Sequence, residues 1–150
     1  MYDYASVCRC IYIKRGFRIS GGAAPNLKSH DQISLPFGAQ VTVSAEHGNF
    51  YQTPAGFIHR QHLRTTGNFL TDPREVAKMF LGCPYLWGGN SAAGIDCSGL
   101  IQAACHATGR ACPGDSGPQQ KFFPATEGDW APGQLIFWPG HVALTLSATH

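Results

Sequence analysis

"YLWGGNSAAGIDCSGLIQAACHATG", residues 85 to 109, decides how the rest of the chain is read. It opens as a glycine-rich loop and becomes helical at Cys97. Leu100, Ile101, Ala104, Cys105 and Ala107 then supply a buried face until Gly109 ends the run. Asp96 stands where an N-cap aspartate belongs. A thiol is a strong nucleophile only as the thiolate, and both a helix N-terminus and a neighbouring imidazole favour that anion. Amides at the same helix start suit the oxyanion of an acyl transfer. Gly88, Gly89 and Gly94 allow the backbone before Cys97 to approach a substrate closely.

Upstream the grammar is β. "VCRCIYI" (7 to 13) and "AQVTVSA" (39 to 45) alternate, and "GNFYQT" and "GFIHR" read as short strands. Turns fall at Gly21-Gly22, Pro36-Phe37-Gly38, His47-Gly48-Asn49 and Pro54-Ala55-Gly56. This spacing predicts a small β-barrel over residues 1–64, then a linker over 65–72. Asp72-Pro73-Arg74-Glu75 next combines an N-cap, a first-position proline and a capping-box glutamate. Val76, Met79 and Phe80 continue that helix until Gly82. After Gly109 comes a polar, proline-containing stretch. "GQLIFW" (133 to 138) and "HVALTL" (141 to 146) then predict two strands joined by Pro139-Gly140. The expected class is α+β.

The second of these strands opens with His141, which shares a face with Ala143 and Thr145, while Val142, Leu144 and Leu146 point into an apolar layer. A helix start bearing Cys97 against a strand end bearing His141 would make a thiolate–imidazolium pair.

Composition removes several other functions. With 150 residues, 43% apolar and 13% charged, the chain can bury a core. A formal charge of +2 with scattered Lys and Arg does not make a nucleic-acid surface. No apolar run approaches the ~20 residues that cross a bilayer. Six cysteines without a CxxC pair fit neither a disulfide framework nor a common zinc site. Cys8, Cys10, Cys83, Cys105 and Cys112 read as free structural thiols. His47, His59, His62 and His106 form no ligand-like cluster, and no metal or organic cofactor is implied.

"CPYLWGGNSAAGIDCSGLIQ" (83 to 102) followed by "GQLIFWPGHVALTL" (133 to 146) resembles the NlpC family of papain-like bacterial cell-wall cysteine peptidases. The family's "PYxWGG…xDCSG" and "GDLxFW…GHVGIY" boxes stand in the same order. The upstream β segment is similar to the bacterial SH3-like domain that often precedes that catalytic domain. The resemblance implies a papain-like domain over 73–150 behind an SH3-like barrel. Its substrate would be the peptide stem of peptidoglycan, cut at a γ-D-glutamyl to diamino-acid bond. It would act as a monomer in a secreted, periplasmic or cell-wall location, although "MYDYASVCRC" shows no signal peptide.

On the same resemblance Cys97 is the nucleophile, His141 the general base, and Tyr85 the hydrogen-bonding tyrosine near the reacting centre. Asp96 and Ser98 flank the nucleophile and hold the substrate's amine and peptide. Asp115, Ser116 and Gln119 in "GDSGPQ" match a cleft-lining "R-[DT]-S-x-x-Q" segment, with Gly114 where arginine is usual. Trp87 and Trp138 wall the site. The family's third polar group, which orients the histidine, is commonly a histidine on the next strand. His150 would lie ~15 Å along the hairpin from His141 at ~3.3 Å per residue, so that group and the closing strands are expected beyond it. The chain is therefore expected to be a fragment of weak or no activity. Two alternatives are a non-enzymatic cell-wall binding module and a papain-like amidase or acyltransferase on another substrate.

Overall fold

A computed structural model describes residues 7–9, 18–20 and 32–147 of the chain. It divides into two compact units, Met1–Phe69 and Leu70–His150.

The first unit is β. Its strands are β1 (Val7–Arg9), β2 (Arg18–Ser20), β3 (Gln32–Ser34), β4 (Gln40–Thr42), β5 (Ala45–His47), β6 (Phe50–Thr53), β7 (Gly56–His59) and β8 (Arg64–Thr65). All pair antiparallel, in one sheet ordered β4-β1-β8 and another ordered β3-β2-β7-β6-β5. Residues 10–13 of the expected first strand, and the Gly21-Gly22 turn, lie outside the described residues.

The stretch 39–45 departs from its expected single strand. Val41 and Val43 do point inward, with Gln40, Thr42 and Ser44 exposed. The chain bends at Val43-Ser44, however, and β4 and β5 join different sheets. The Ser44 N–H goes to the Gln52 carbonyl at 2.9 Å, which begins the pairing with β6. Alternation fixes which residues face inward and is indifferent to a bend between them. Val43, Ile58 and Leu63 are the buried core, with Leu35, Phe37, Val41 and Tyr51 packed against it. The expected linker contributes Thr65, which pairs through β8 with β1.

The second unit begins with α1 (Pro73–Lys78), capped by Asp72, whose Oδ1 accepts from Arg74 N at 2.8 Å. The helix is shorter than expected and gives way to turns at Met79–Gly82, with Val76, Ala77 and Phe80 buried. Glu75 accepts from Lys78 Nζ at 2.6 Å. The glycine-rich loop holds an unexpected short hairpin, β9 (Asn90–Ser91) with β10 (Gly94–Ile95). Then come α2 (Cys97–Ala107) and α3 (Ser116–Phe122). The latter falls in the polar, proline-containing stretch, to which the sequence assigns no element. Its Gly117-Pro118 looks like a breaker, yet proline is tolerated in a first turn because no intrahelical donor is needed there.

β11 (Leu135–Trp138) and β12 (His141–Leu144) form an antiparallel hairpin in which Trp138 faces His141. α2 packs on it through Ile101, Cys105 and Val142, joined by Cys112 and by half-buried Leu135, Phe137 and Leu144. Two expected orientations change. Thr145 is buried, its hydroxyl donating to Ala131 O at 2.6 Å and accepting from Gln134 N at 2.9 Å. Leu146 is exposed. Both follow from the strand ending at Leu144, after which strict alternation no longer applies. Among the described residues, no helix is long and apolar enough to cross a membrane.

Candidate active site

The junction between the glycine loop and α2 is held by one carboxylate. Asp96, buried, accepts from Gly99 N at 2.7 Å and from Ser98 Oγ at 3.1 Å through Oδ1. Its Oδ2 accepts from Gly88 N at 2.8 Å. Hydrogen bonds to an ionised acceptor are the strong ones. A single side chain thus caps the helix and ties down the loop that crosses it. The crossing leaves no spare room: a Cβ on Gly99 would lie 2.5 Å from the Gly89 carbonyl oxygen. Gly88 turns the loop at φ 74°, a conformation that favours glycine. Cys97 is thereby presented at the first position of a helix whose start is clamped.

A cleft of about 460 Å³ opens beside it. Cys97, Tyr85, Asp96 and His141 of β12 line it together with Phe80, Leu100, Val142 and Leu144. Tyr85 is mostly exposed and bridges Ile95. Its hydroxyl is pushed above the ordinary phenol range, by desolvation first and then by the adjacent Cys97 sulfur. His141 is exposed to solvent, with the Trp138 ring 5.9 Å away and tilted by 38°.

Cys97, Tyr85, Asp96 and His141 therefore share one cleft, and Trp138 stands next to His141. The other expected residues lie elsewhere. Trp87 is 90% exposed on the loop. Ser98 is buried behind Cys97. Ser116 is half-buried at the start of α3, and Gln119 is fully enclosed, 0% exposed. Asp115 caps α3 by position without a side-chain bond. His150 lies outside the described residues.

Two contributors went unread in the sequence. Lys78 lines the cleft from the end of α1, and nothing in the sequence pattern signals that position. Gly99 does leave a signal, because glycine in a first helical turn is costly unless another backbone must come close. Among the described residues, no group of three or more His, Cys, Asp or Glu is placed to hold a metal ion.

Two other thiols of this unit differ sharply. Cys105 and Cys112 are buried together in the α2–β12 core. Burial, then the neighbouring Cys105, pushes the Cys112 thiol up to about 12. Burial raises Cys105 too.

Residues 82–150 match the NlpC/P60 family. The matched stretch contains the whole α2 junction and the β11–β12 hairpin. A γ-D-glutamyl-L-lysine dipeptidyl-peptidase of Bacillus cereus is 36% identical over 123 residues, spanning 75% of this chain and 33% of that protein. Dipeptidyl-peptidase 6 of Lysinibacillus sphaericus is 40% identical over 137 residues, spanning 87% of this chain and 49% of the relative. A crystal structure of an NlpC/P60 family protein from Bacillus cereus superposes with a TM-score of 0.77 at 25% identity, covering 96% of this chain and 52% of that one. The chain spans a third to a half of the length of these three proteins.

Proposed function

We propose that this chain carries the catalytic centre of an NlpC/P60 cysteine peptidase that hydrolyses peptidoglycan stem peptides at the bond between γ-D-glutamate and a diamino acid. The observation that carries this is the single cleft shared by Cys97 at a helix start, Tyr85 against its sulfur, and His141. The name of the Bacillus cereus relative supplies the substrate class. In this proposal the second unit is papain-like, the first is an SH3-like domain, and both work at the cell wall.

His141 takes the thiol proton as the Cys97 sulfur attacks the amide carbon. The carbonyl oxygen gains negative charge and is held between the Cys97 N–H and the Tyr85 hydroxyl. His141 returns its proton to the departing amine, leaving a thioester on Cys97. Water then adds to the thioester, His141 takes its proton and gives it to the leaving sulfur, and the carboxylic acid departs. Trp138 limits how far the His141 ring can swing. Asp96 keeps the nucleophile and the loop wall in register, with Ser98 bonded to it from behind.

The test is hydrolysis of a γ-D-glutamyl-L-lysine stem peptide, followed by mass spectrometry. Cleavage should disappear in Cys97→Ala and fall steeply in His141→Ala. Undiminished cleavage by Cys97→Ala would refute the proposal. Equal cleavage of an α-linked glutamyl control would replace it with a less selective amidase.

A further inference from the structure

Among the described residues of this unit, Gln119 is the one polar side chain with no exposed surface, and nothing in the proposed reaction uses it. Both of its amide N–H bonds are committed. Nε2 donates to the Ser98 carbonyl at 3.0 Å and to the Pro113 carbonyl at 2.9 Å. Its Oε1 is buried without a hydrogen-bond partner among the described residues. Turning the amide over would aim that oxygen at two carbonyls, so the orientation is fixed by chemistry.

An enclosed acceptor left unsatisfied costs stability, a cost that an apolar side chain of the same shape would not carry. Methionine would fill the volume. Packing alone therefore does not account for an amide at this position, and its two donors do. One holds the carbonyl of the residue directly after Cys97. The other holds the loop at Pro113, whose neighbour Cys112 is bonded through its carbonyl to Gln102 of α2 at 3.2 Å. A substrate contact is ruled out in this arrangement, because the side chain is sealed and its donors are spent.

We propose that Gln119 is a positioning residue for the Cys97 thiol: it clamps the first turn of α2 to the Pro113 loop and so fixes the direction in which the sulfur points. This rests on Cys97 as the nucleophile.

Gln119→Met keeps the volume and removes both donors. In the intact chain, the rate of iodoacetamide alkylation at Cys97 is measured across pH by mass spectrometry, beside kcat and KM on the γ-D-glutamyl-L-lysine peptide. The expected result is an upward move of the alkylation midpoint and a fall in kcat of about 10²-fold, the scale of a misplaced reacting group, with KM near wild type. A raised KM with kcat and the alkylation profile unmoved would make Gln119 a substrate contact and overturn the inference. A lower melting temperature with all three unmoved would make it plain scaffold and overturn the inference equally. Should the wild type not cleave the peptide, the alkylation profile still decides Gln119. Should the methionine variant not melt cooperatively, NMR of the wild type decides it. Slow exchange of the Gln119 side-chain amide protons, and a shift when Cys97 is alkylated, would support the clamp. Fast exchange, or no shift, would break it.

Discussion

The N-terminal end of α2 holds Cys97 half-exposed, against the Tyr85 hydroxyl and in the same cleft as His141. Toward the other end, the same helix holds Cys105 buried beside Cys112, among Ile101 and Val142. One functional group thus occurs in two settings on a single scaffold. At the first end the backbone presents N–H groups and the surroundings are open. At the second the dipole favours cations and the neighbours are hydrocarbon. The difference shows that the reactivity of a cysteine is decided by its place on the helix and by what is packed over it.

The largest effect should appear in alkylation. A thiol pushed up to about 12 has a thiolate fraction at neutral pH about 10³-fold below that of an ordinary cysteine near 9. Iodoacetamide at pH 7.5, with peptides mapped by mass spectrometry, should label Cys97 long before Cys105 or Cys112. Comparable rates at the three would erase the contrast.

Next comes the tight crossing at the reactive end. Gly99→Ala would drive a methyl group into the Gly89 carbonyl, at 2.5 Å from ideal geometry. Overpacking of this kind costs about 1–3 kcal/mol, and backbone can yield less than a side chain. Urea denaturation should place the variant near the upper end of that range, with peptide cleavage impaired as well. A smaller loss, about 1–2 kcal/mol, is expected for Asp96→Ala from the missing cap. In that variant amide exchange should quicken at both Gly88 and Gly99, since one carboxylate serves both.

The smallest effect belongs to the buried end. With Cys112 raised, the folded chain keeps a proton that the unfolded chain, titrating near 9, has already lost. The folded state therefore binds more protons across that interval. Its stability is fully present below the unfolded value and is lost as pH climbs toward about 12. Melting temperature should fall less steeply over this range in Cys112→Val than in wild type. Parallel slopes would show that Cys112 does not contribute.

Legibility in the sequence followed local punctuation. α2 was readable because Asp96 and Gly109 bracket a complete helical period, and β12 because His141 follows a proline–glycine turn directly. α3 was hidden because Gly117 and Pro118 imitate a loop. The β4–β5 bend was hidden because an alternating pattern passes through it unchanged. Near Cys97, Asp96 could be read from the helix start as its N-cap. Gln119 could not, because a sealed amide is explained only by the two carbonyls it meets, and those are contributed by distant parts of the chain. Lys78 lines the cleft for a similar tertiary reason.

The contact between Gly89 and Gly99 also sets a rule for engineering. The two flanks of the intervening segment are locked against each other, so its spacing cannot be altered at either foot without misaligning the helix. Between them the β9–β10 hairpin turns at Ala92-Ala93, with Ala93 open to solvent. Library diversity aimed at new substrate preferences belongs at that tip, where added residues would project outward and leave the foundations untouched.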